Sequence, residues 1–171
     1  MPLYFAYGSN MDVAAMTGRC PRSKALGPAR LPRHRLAVMR EGWLTASRDA
    51  RGEVHGVLWE VPFADMSALD RYEGLAGGLY VKVSQPVIAA SGPKRALIYF
   101  GANNGPGAVQ TKYIADVLKA ARAWALPDAA ITRLEAFAAQ AGVVDQGKAA
   151  PTREAATPTV RPLFATPFDR T

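Results

Sequence analysis

Glu73 is the ionisable residue whose place in the sequence most suggests proton transfer. It follows the apolar face of a predicted helix and precedes Gly74, so it marks a helix C-terminus. The negative end of the helix dipole and partial burial would both raise the pKa of this carboxyl, towards a value that suits a general base. Residue type alone favours another interpretation, a solvated glutamate at a helix end, and Asp70 one turn earlier is the rival carboxylate.

The second candidate is a loop near the start of the chain, the predicted tight turn Gly8-Ser9-Asn10, which follows a short apolar strand predicted at residues 3–7. Gly8 allows a positive φ or the close approach of a ligand. Ser9 and Asn10 can cap a helix or bind a ligand, and the N–H groups at a helix start favour a carboxylate or phosphate. The alternative is a turn whose polar residues satisfy only their own backbone. The spacing is not that of a phosphate-binding loop.

The remaining residue types argue against other chemistries. No Gly-x-Ser-x-Gly surrounds a serine, and neither His34 nor His55 has a partner at metal-ligand spacing. We expect both histidines to be structural and Cys20, the single cysteine, to be a buried thiol. One cysteine cannot form an internal disulfide, and the sequence has neither a signal peptide nor a bilayer-spanning apolar run. We therefore expect a cytoplasmic protein.

The composition indicates one globular domain with a basic surface. The chain has 171 residues, of which 49% are hydrophobic and 20% charged, enough to build a core. The net charge is +7, and much of it lies between Arg19 and Arg51. Such a face could attract nucleic acid or anionic substrates, but aromatic residues are not interleaved with the arginines as a stacking platform requires. A solvated surface is the favoured interpretation.

Hydropathy patterns predict the elements that would hold the two candidates. The strongest predicted strand covers residues 53–61 and is apolar on both faces, so it should be central in its sheet, with Gly56 marking a bulge or a close backbone approach. A turn is predicted at residues 51–52, and residues 20–33, which contain three prolines, are predicted to be short extended pieces. Further strands are predicted at 34–40, 44–47, 79–90 and 95–101, and helices at 64–72, 111–125 and 127–140.

This order of elements predicts an α+β fold, a small mixed and mostly antiparallel β-barrel with flanking helices. Residues 1–144 are predicted to form the domain. Residues 145–171 hold four prolines among Thr, Arg and Ala, and are predicted to be a Pro-rich C-terminal tail.

Three stretches together resemble the gamma-glutamylcyclotransferase-like family. They are residues 4–11 (YFAYGSNM), 53–59 (EVHGVLW) and 69–74 (LDRYEG), followed by Tyr80, and the match in order and spacing covers residues 3–137. The resemblance implies a mixed barrel with a cavity between the first loop and the glutamate. It also implies a cofactor-free reaction, in which the α-amine of a gamma-glutamyl compound attacks its own γ-carbonyl. The products would be 5-oxoproline and a free amino acid or amine.

The resemblance also assigns roles to individual residues. Glu73 would be the general acid and base. The glutamyl end would be held, largely through backbone groups, by Tyr7, Gly8, Ser9 and Asn10, and the pocket would be lined by Tyr80 and Tyr113. The partner would be a small-molecule gamma-glutamyl substrate, with no metal, nucleic acid or membrane involved, and the chain would be a monomer or homodimer.

Two hypotheses from other classes stand beside this one. A non-catalytic small-ligand-binding or regulatory domain on the same fold would explain the loop but would leave Glu73 without a role. A nucleic-acid binder is suggested only by the net charge of +7, and its binding would weaken steeply with added salt.

Overall fold

The computed structural model describes residues 1–144, with side chains through residue 141. Within these residues the strands are β1 (Leu3–Ala6), β2 (Lys24–Val38), β3 (Leu44–Glu60), β4 (Tyr80–Ala89) and β5 (Gly92–Gly101). The α-helices are α1 (Val13–Arg19), α2 (Phe63–Tyr72), α3 (Thr111–Ala123) and α4 (Asp128–Val144). The predicted tail at residues 145–171 lies outside the described residues, so the predicted domain boundary stays a prediction. Across the described part of the chain, every helix falls short of the length and apolarity that a membrane crossing needs.

The five strands close into a barrel in the order β1-β3-β2-β4-β5. Neighbouring strands are antiparallel except β1 and β5, which run parallel and meet at Tyr4 and Leu97. β3 pairs with β1 on one side and β2 on the other, which confirms that residues 53–61 are central. The predicted fold class, a mixed and mostly antiparallel barrel with flanking helices, is confirmed.

The predicted extents of β2 and β3 were wrong. Residues 24–33 are the first part of β2 rather than broken pieces, and β3 runs through residues 51–52 without a turn. The β2–β3 ladder shifts register between Ala25 and Gly27 and again between Pro32 and His34. Both prolines of this part of β2 stay in register with β3 residues between these shifts.

The helix predictions were confirmed with small changes at the ends. α2 and α3 lie within a residue or two of their predicted bounds, and α4 extends past its predicted end at residue 140. The short α1 follows directly on the first loop. Its N-terminus is capped by Asp12, whose carboxylate accepts a hydrogen bond of 2.7 Å from the N–H of Ala15. The loop is therefore held between a barrel strand and a capped helix.

β1 and β3 approach each other closely at Gly56. A Cβ atom at this position would lie 2.1 Å from the backbone oxygen of Ala6 and 2.9 Å from the Phe5 ring. Of the two predicted reasons for this glycine, the close backbone approach is the right one. The contact fixes the end of β1, and with it the start of the loop that β1 leads into.

Candidate active site

A pocket of about 310 Å³ lies between the loop after β1 and the C-terminus of α2. All seven residues that the sequence predicts for the site line it: Tyr7, Gly8, Ser9, Asn10, Glu73, Tyr80 and Tyr113. The lining also includes three residues that the prediction did not name: Tyr4, Leu44 and Tyr99. Within this lining Glu73 is the single Asp, Glu, His, Lys or Arg residue, and five tyrosines surround it.

Glu73 is held at the end of α2 by the backbone. Its N–H donates to the carbonyl of Leu69 at 3.0 Å, and Gly74 follows in the left-handed conformation with φ of 65°, which confirms the predicted glycine cap. The Glu73 residue is only 6% exposed. The interpretation of a solvated helix-end glutamate is therefore wrong, because the chain turns this carboxylate into the pocket.

Two side chains from the start of the chain contact the Glu73 carboxylate. Asn10 Nδ2 donates to Glu73 Oε1 at 2.7 Å and to the Tyr4 hydroxyl at 3.0 Å. The Tyr4 hydroxyl in turn lies 3.5 Å from the same carboxylate oxygen. Burial, and then the neighbouring Glu73 carboxylate, raise the pKa of the Tyr4 phenol well above its usual range. Tyr4 therefore stays a neutral hydroxyl at physiological pH.

The remaining tyrosines of the wall are tied to backbone carbonyls or to a second carboxylate. Tyr7 donates its hydroxyl hydrogen to the Tyr99 carbonyl, and Tyr80 donates to the Leu44 carbonyl at 2.9 Å. Burial, followed by the Glu73 carboxylate, raises the pKa of Tyr7. Burial and the hydrogen bond from Tyr99 to a neighbouring carboxylate raise the pKa of Tyr99. The pocket wall is thus rigid, aromatic and neutral around one acidic group.

Gly8 is needed for space rather than for an unusual φ. Its φ is −126°, so of the two predicted reasons for a glycine the positive φ is wrong. A Cβ at Gly8 would lie 2.8 Å from the hydroxyl of Tyr113. Tyr113 packs edge-on against the ring of Trp43 with 5.0 Å between centroids, and its hydroxyl accepts a hydrogen bond from the N–H of Leu44 at 3.4 Å. Trp43 therefore supports the pocket wall from behind.

The rival carboxylate, Asp70, does not line the pocket. Lys82 Nζ contacts its two oxygens at 2.7 and 2.8 Å, and the Tyr99 hydroxyl donates to it. Among the described residues no cluster of three His, Cys, Asp or Glu side chains could hold a metal ion. The residues predicted to be structural, His34, His55 and Cys20, all lie outside the pocket lining, and Cys20 is buried as predicted.

Comparisons with known proteins agree with this fold. Residues 4–125 match the family model described as "Gamma-glutamyl cyclotransferase, AIG2-like". The chain therefore belongs to the gamma-glutamyl cyclotransferase, AIG2-like family. The matched range contains every residue that lines the pocket.

Individual relatives carry the same family name. A mouse gamma-glutamylcyclotransferase is 33% identical over 100 residues, which is 53% of each chain. The human gamma-glutamylcyclotransferase is 28% identical over 125 residues, or 66% of each chain. A solved structure titled "Gamma-glutamyl cyclotransferase" superimposes with a TM-score of 0.74 at 25% identity, covering 79% of this chain and 86% of that one. The chain spans about half the length of the bovine and mouse relatives that it matches.

Proposed function

We propose that this chain is a cyclotransferase of gamma-glutamyl amino acids or amines, releasing 5-oxoproline and the free amino acid or amine. The observation that carries the proposal is the Glu73 carboxylate, which is buried in the pocket and contacted by Asn10 from the opposing loop. A substrate with an α-ammonium group gives this buried, hydrogen-bonded carboxylate both a counter-ion and a proton to take.

In the first step Glu73 accepts a proton from the substrate's α-ammonium group. The protonated amine has no lone pair, so it cannot attack until this proton leaves; its ordinary pKa is about 8. The freed nitrogen then attacks the γ-carbonyl carbon of the same molecule, forming a five-membered ring and an oxyanion. Because both reacting groups belong to one substrate, the pocket has only to fold it and hold it, and such orientation can contribute roughly 7–11 kcal/mol.

In the second step the ring intermediate collapses. The carbonyl re-forms, the bond from the γ-carbon to the leaving nitrogen breaks, and Glu73 returns a proton to that nitrogen. The ring nitrogen still carries one proton more than a lactam N–H, and it gives this proton to the released amine, which leaves as an ammonium ion. The net change moves one amide bond from the leaving group to the substrate's own nitrogen, so Glu73 ends in its starting state. General acid and base catalysis of this kind contributes about 10²–10⁴-fold to a rate.

The neutral walls fit the rest of the substrate. The first N–H groups of the 3-10 turn at Ser9–Met11 have no carbonyl within the turn to accept them, so they can donate to the α-carboxylate or to the oxyanion. Tyr4, kept neutral by burial, offers a further hydroxyl next to Glu73. We propose that the glutamyl end lies against this loop and that the leaving group points towards Tyr80 and Tyr113. In the cell this reaction would run in the cytoplasm.

The test is release of 5-oxoproline by the wild-type chain and by Glu73→Gln. The substrate panel is gamma-glutamyl-alanine, gamma-glutamyl-lysine and glutathione, so that the leaving group varies from a small amino acid to a peptide. We expect the wild type to release 5-oxoproline from at least one of them, and Glu73→Gln to lose at least about a hundredfold in kcat. The amide keeps the size of the side chain but cannot take up a proton.

Two further variants control for the substitution itself. Glu135→Gln makes the same change at an exposed residue that pairs with Arg122 on the surface, and should keep full turnover. Asp70→Asn tests the rival carboxylate and should cost much less than Glu73→Gln, because Asp70 does not line the pocket. Normal turnover by a folded Glu73→Gln variant would contradict the assignment of the base. No release from any substrate by the wild type would instead favour the non-catalytic binding domain.

A further inference from the structure

We infer that Arg19 is a positioning residue for the base: it fixes the orientation of the Asn10 side-chain amide, and through that amide the hydrogen bonding of Glu73. The inference rests on the proposed function for its kinetic consequence, but its structural part can be tested without any turnover. Arg19 is the last residue of α1 and does not line the pocket, so no contact with substrate is involved.

The geometry forms a chain of three side chains. Arg19 Nη1 donates to Asn10 Oδ1 at 2.6 Å, and Asn10 Nδ2 donates to Glu73 Oε1 at 2.7 Å. Asn10 is only 2% exposed, so water has little access to either end of its amide. The Asn10 amide thus contacts protein groups through both its oxygen and its nitrogen, and the nitrogen also donates to the Tyr4 hydroxyl at 3.0 Å.

An asparagine amide can reverse its oxygen and nitrogen by rotating half a turn, so its orientation has to be imposed by its partners. Arg19 can only donate, and at physiological pH it does not lose its charge. It therefore holds Oδ1 towards itself and leaves Nδ2 facing Glu73. In the reversed orientation, Asn10 would turn its NH₂ group towards a guanidinium and its oxygen towards a carboxylate, which is repulsive at both ends.

The contribution of Arg19 matters most when Glu73 carries the proton. A protonated carboxyl group has an O–H to donate, so it could equally well face the amide oxygen. At that point in the cycle Glu73 no longer selects the amide orientation, and only Arg19 still does. Because the amide stays fixed, Asn10 Nδ2 still faces Glu73 when Glu73 gives up its proton, and this donor stabilises the carboxylate that forms again. Transfer of the proton to the leaving nitrogen is therefore favoured.

A second contact anchors Arg19 beside α2. Its guanidinium carbon lies 3.6 Å from the ring centroid of Tyr72, the residue directly before Glu73. The Tyr72 hydroxyl shares a hydrogen bond of 2.9 Å with Ser9 Oγ in the loop. Arg19 thus touches both the loop and the end of the helix that carries the base, and this holds its guanidinium in the position from which it contacts Asn10.

The test compares kcat and KM for Arg19→Met, Arg19→Lys and Arg122→Met. Arg122→Met is the matched control, since Arg122 is also in the last turn of a helix and, among residues 1–144, forms its ion pair with exposed Glu135. We expect Arg19→Met to lower kcat about tenfold or more, as for loss of a charge-assisted hydrogen bond, with KM changed little. Arg19→Lys keeps a permanent donor and should recover much of kcat. Arg122→Met should match the wild type.

A double-mutant cycle with Asn10→Ala tests the route of the effect. If Arg19 acts through Asn10, adding Arg19→Met to Asn10→Ala lowers kcat little further. Additive losses, or an unchanged kcat in Arg19→Met, would overturn the inference. If Arg19→Met does not fold, as judged by circular dichroism, Arg19→Gln replaces it, because a glutamine amide can either donate or accept and so does not impose an orientation.

Side-chain NH₂ resonances of Asn10 provide a readout that needs no catalysis. In ¹⁵N-labelled protein we expect these resonances to shift in Arg19→Met and to remain in place in Arg122→Met. If the wild type releases no 5-oxoproline, the proposed function fails and this spectrum alone decides the inference. Unshifted Asn10 resonances in Arg19→Met would refute it, whatever the activity.

Discussion

The substitution Gly8→Ala probes how closely the loop and α3 define the pocket. A Cβ at Gly8 would lie 2.8 Å from the hydroxyl oxygen of Tyr113, whereas ordinary contact needs about 3.5 Å. The φ of −126° is open to alanine, so the change adds a steric conflict without backbone strain. The conflict is with the end of a side chain, and Tyr113 must move by roughly 0.7 Å to relieve it.

That movement is resisted because Tyr113 packs against Trp43 and accepts a hydrogen bond from Leu44. We therefore expect a folded protein in which either the loop or Tyr113 is displaced. Displacements of this size at a site that works by holding its substrate cost about 10–100-fold in kcat/KM. The thermal midpoint should fall by only a few degrees, since overpacking of one contact costs about 1–3 kcal/mol at most.

The decisive assay is the same substitution in a Tyr113→Phe background. Removing the hydroxyl leaves Cζ as the nearest Tyr113 atom, 3.9 Å from the added Cβ, which is an ordinary contact. Gly8→Ala should then cost far less kcat/KM than it does in the wild type. Gly77→Ala, where the added Cβ would meet no atom within 4 Å, is the matched control. An equal loss in both Tyr113 backgrounds would refute the steric argument.

Two further substitutions test the scaffold. Gly56→Ala should reduce stability by at least about 1–3 kcal/mol or prevent folding, because its Cβ would lie 2.1 Å from a backbone oxygen that cannot rotate away; an unchanged unfolding curve would contradict this. Burial alone would raise the pKa of Asp65, but the hydrogen bonds and the charge of Arg22 lower this pKa overall. The stabilisation from Arg22 is therefore present above pH of about 4 and is lost as pH falls through the lowered pKa, so Arg22→Met should lower the thermal midpoint more at pH 7 than at pH 2. An equal loss at both values would assign the effect to packing.

The central strand and the two helices on either side of the site could be predicted because their signals are local. Alternate residues of 53–61 form two faces of the strand that are both largely apolar, and the end of α2 is marked by a glutamate followed by a glycine. The long hairpin of β2 and β3 could not be predicted in the same way. Pro28, Pro32 and Gly52 are turn residues by type, yet all three lie within strands, and both prolines are paired with β3 residues.

The pocket was predicted in part for the same reason. The residues that belong to the first loop and to the end of α2 carry a sequence signal, and they do line the pocket. Leu44 and Tyr99 lie on strands remote in sequence and reach the site only because the barrel closes, which no local pattern encodes. Tyr4 had a signal, since it belongs to the stretch that opens with β1, and its burial could have been inferred from strand alternation. Arg19 had none, because an arginine at a helix end is usually solvated.

A pocket whose single charge is an acid has a consequence for turnover. The proposed substrate arrives with an ammonium group, which the Glu73 carboxylate attracts in a site that is otherwise neutral. Cyclisation turns that nitrogen into a lactam N–H, which carries no charge. The product can still donate a hydrogen bond to Glu73, but the ion pair that recruited the substrate no longer exists. Cyclisation thus removes the electrostatic attraction on which substrate binding depended. The site therefore binds 5-oxoproline more weakly than the substrate, which favours release of the product.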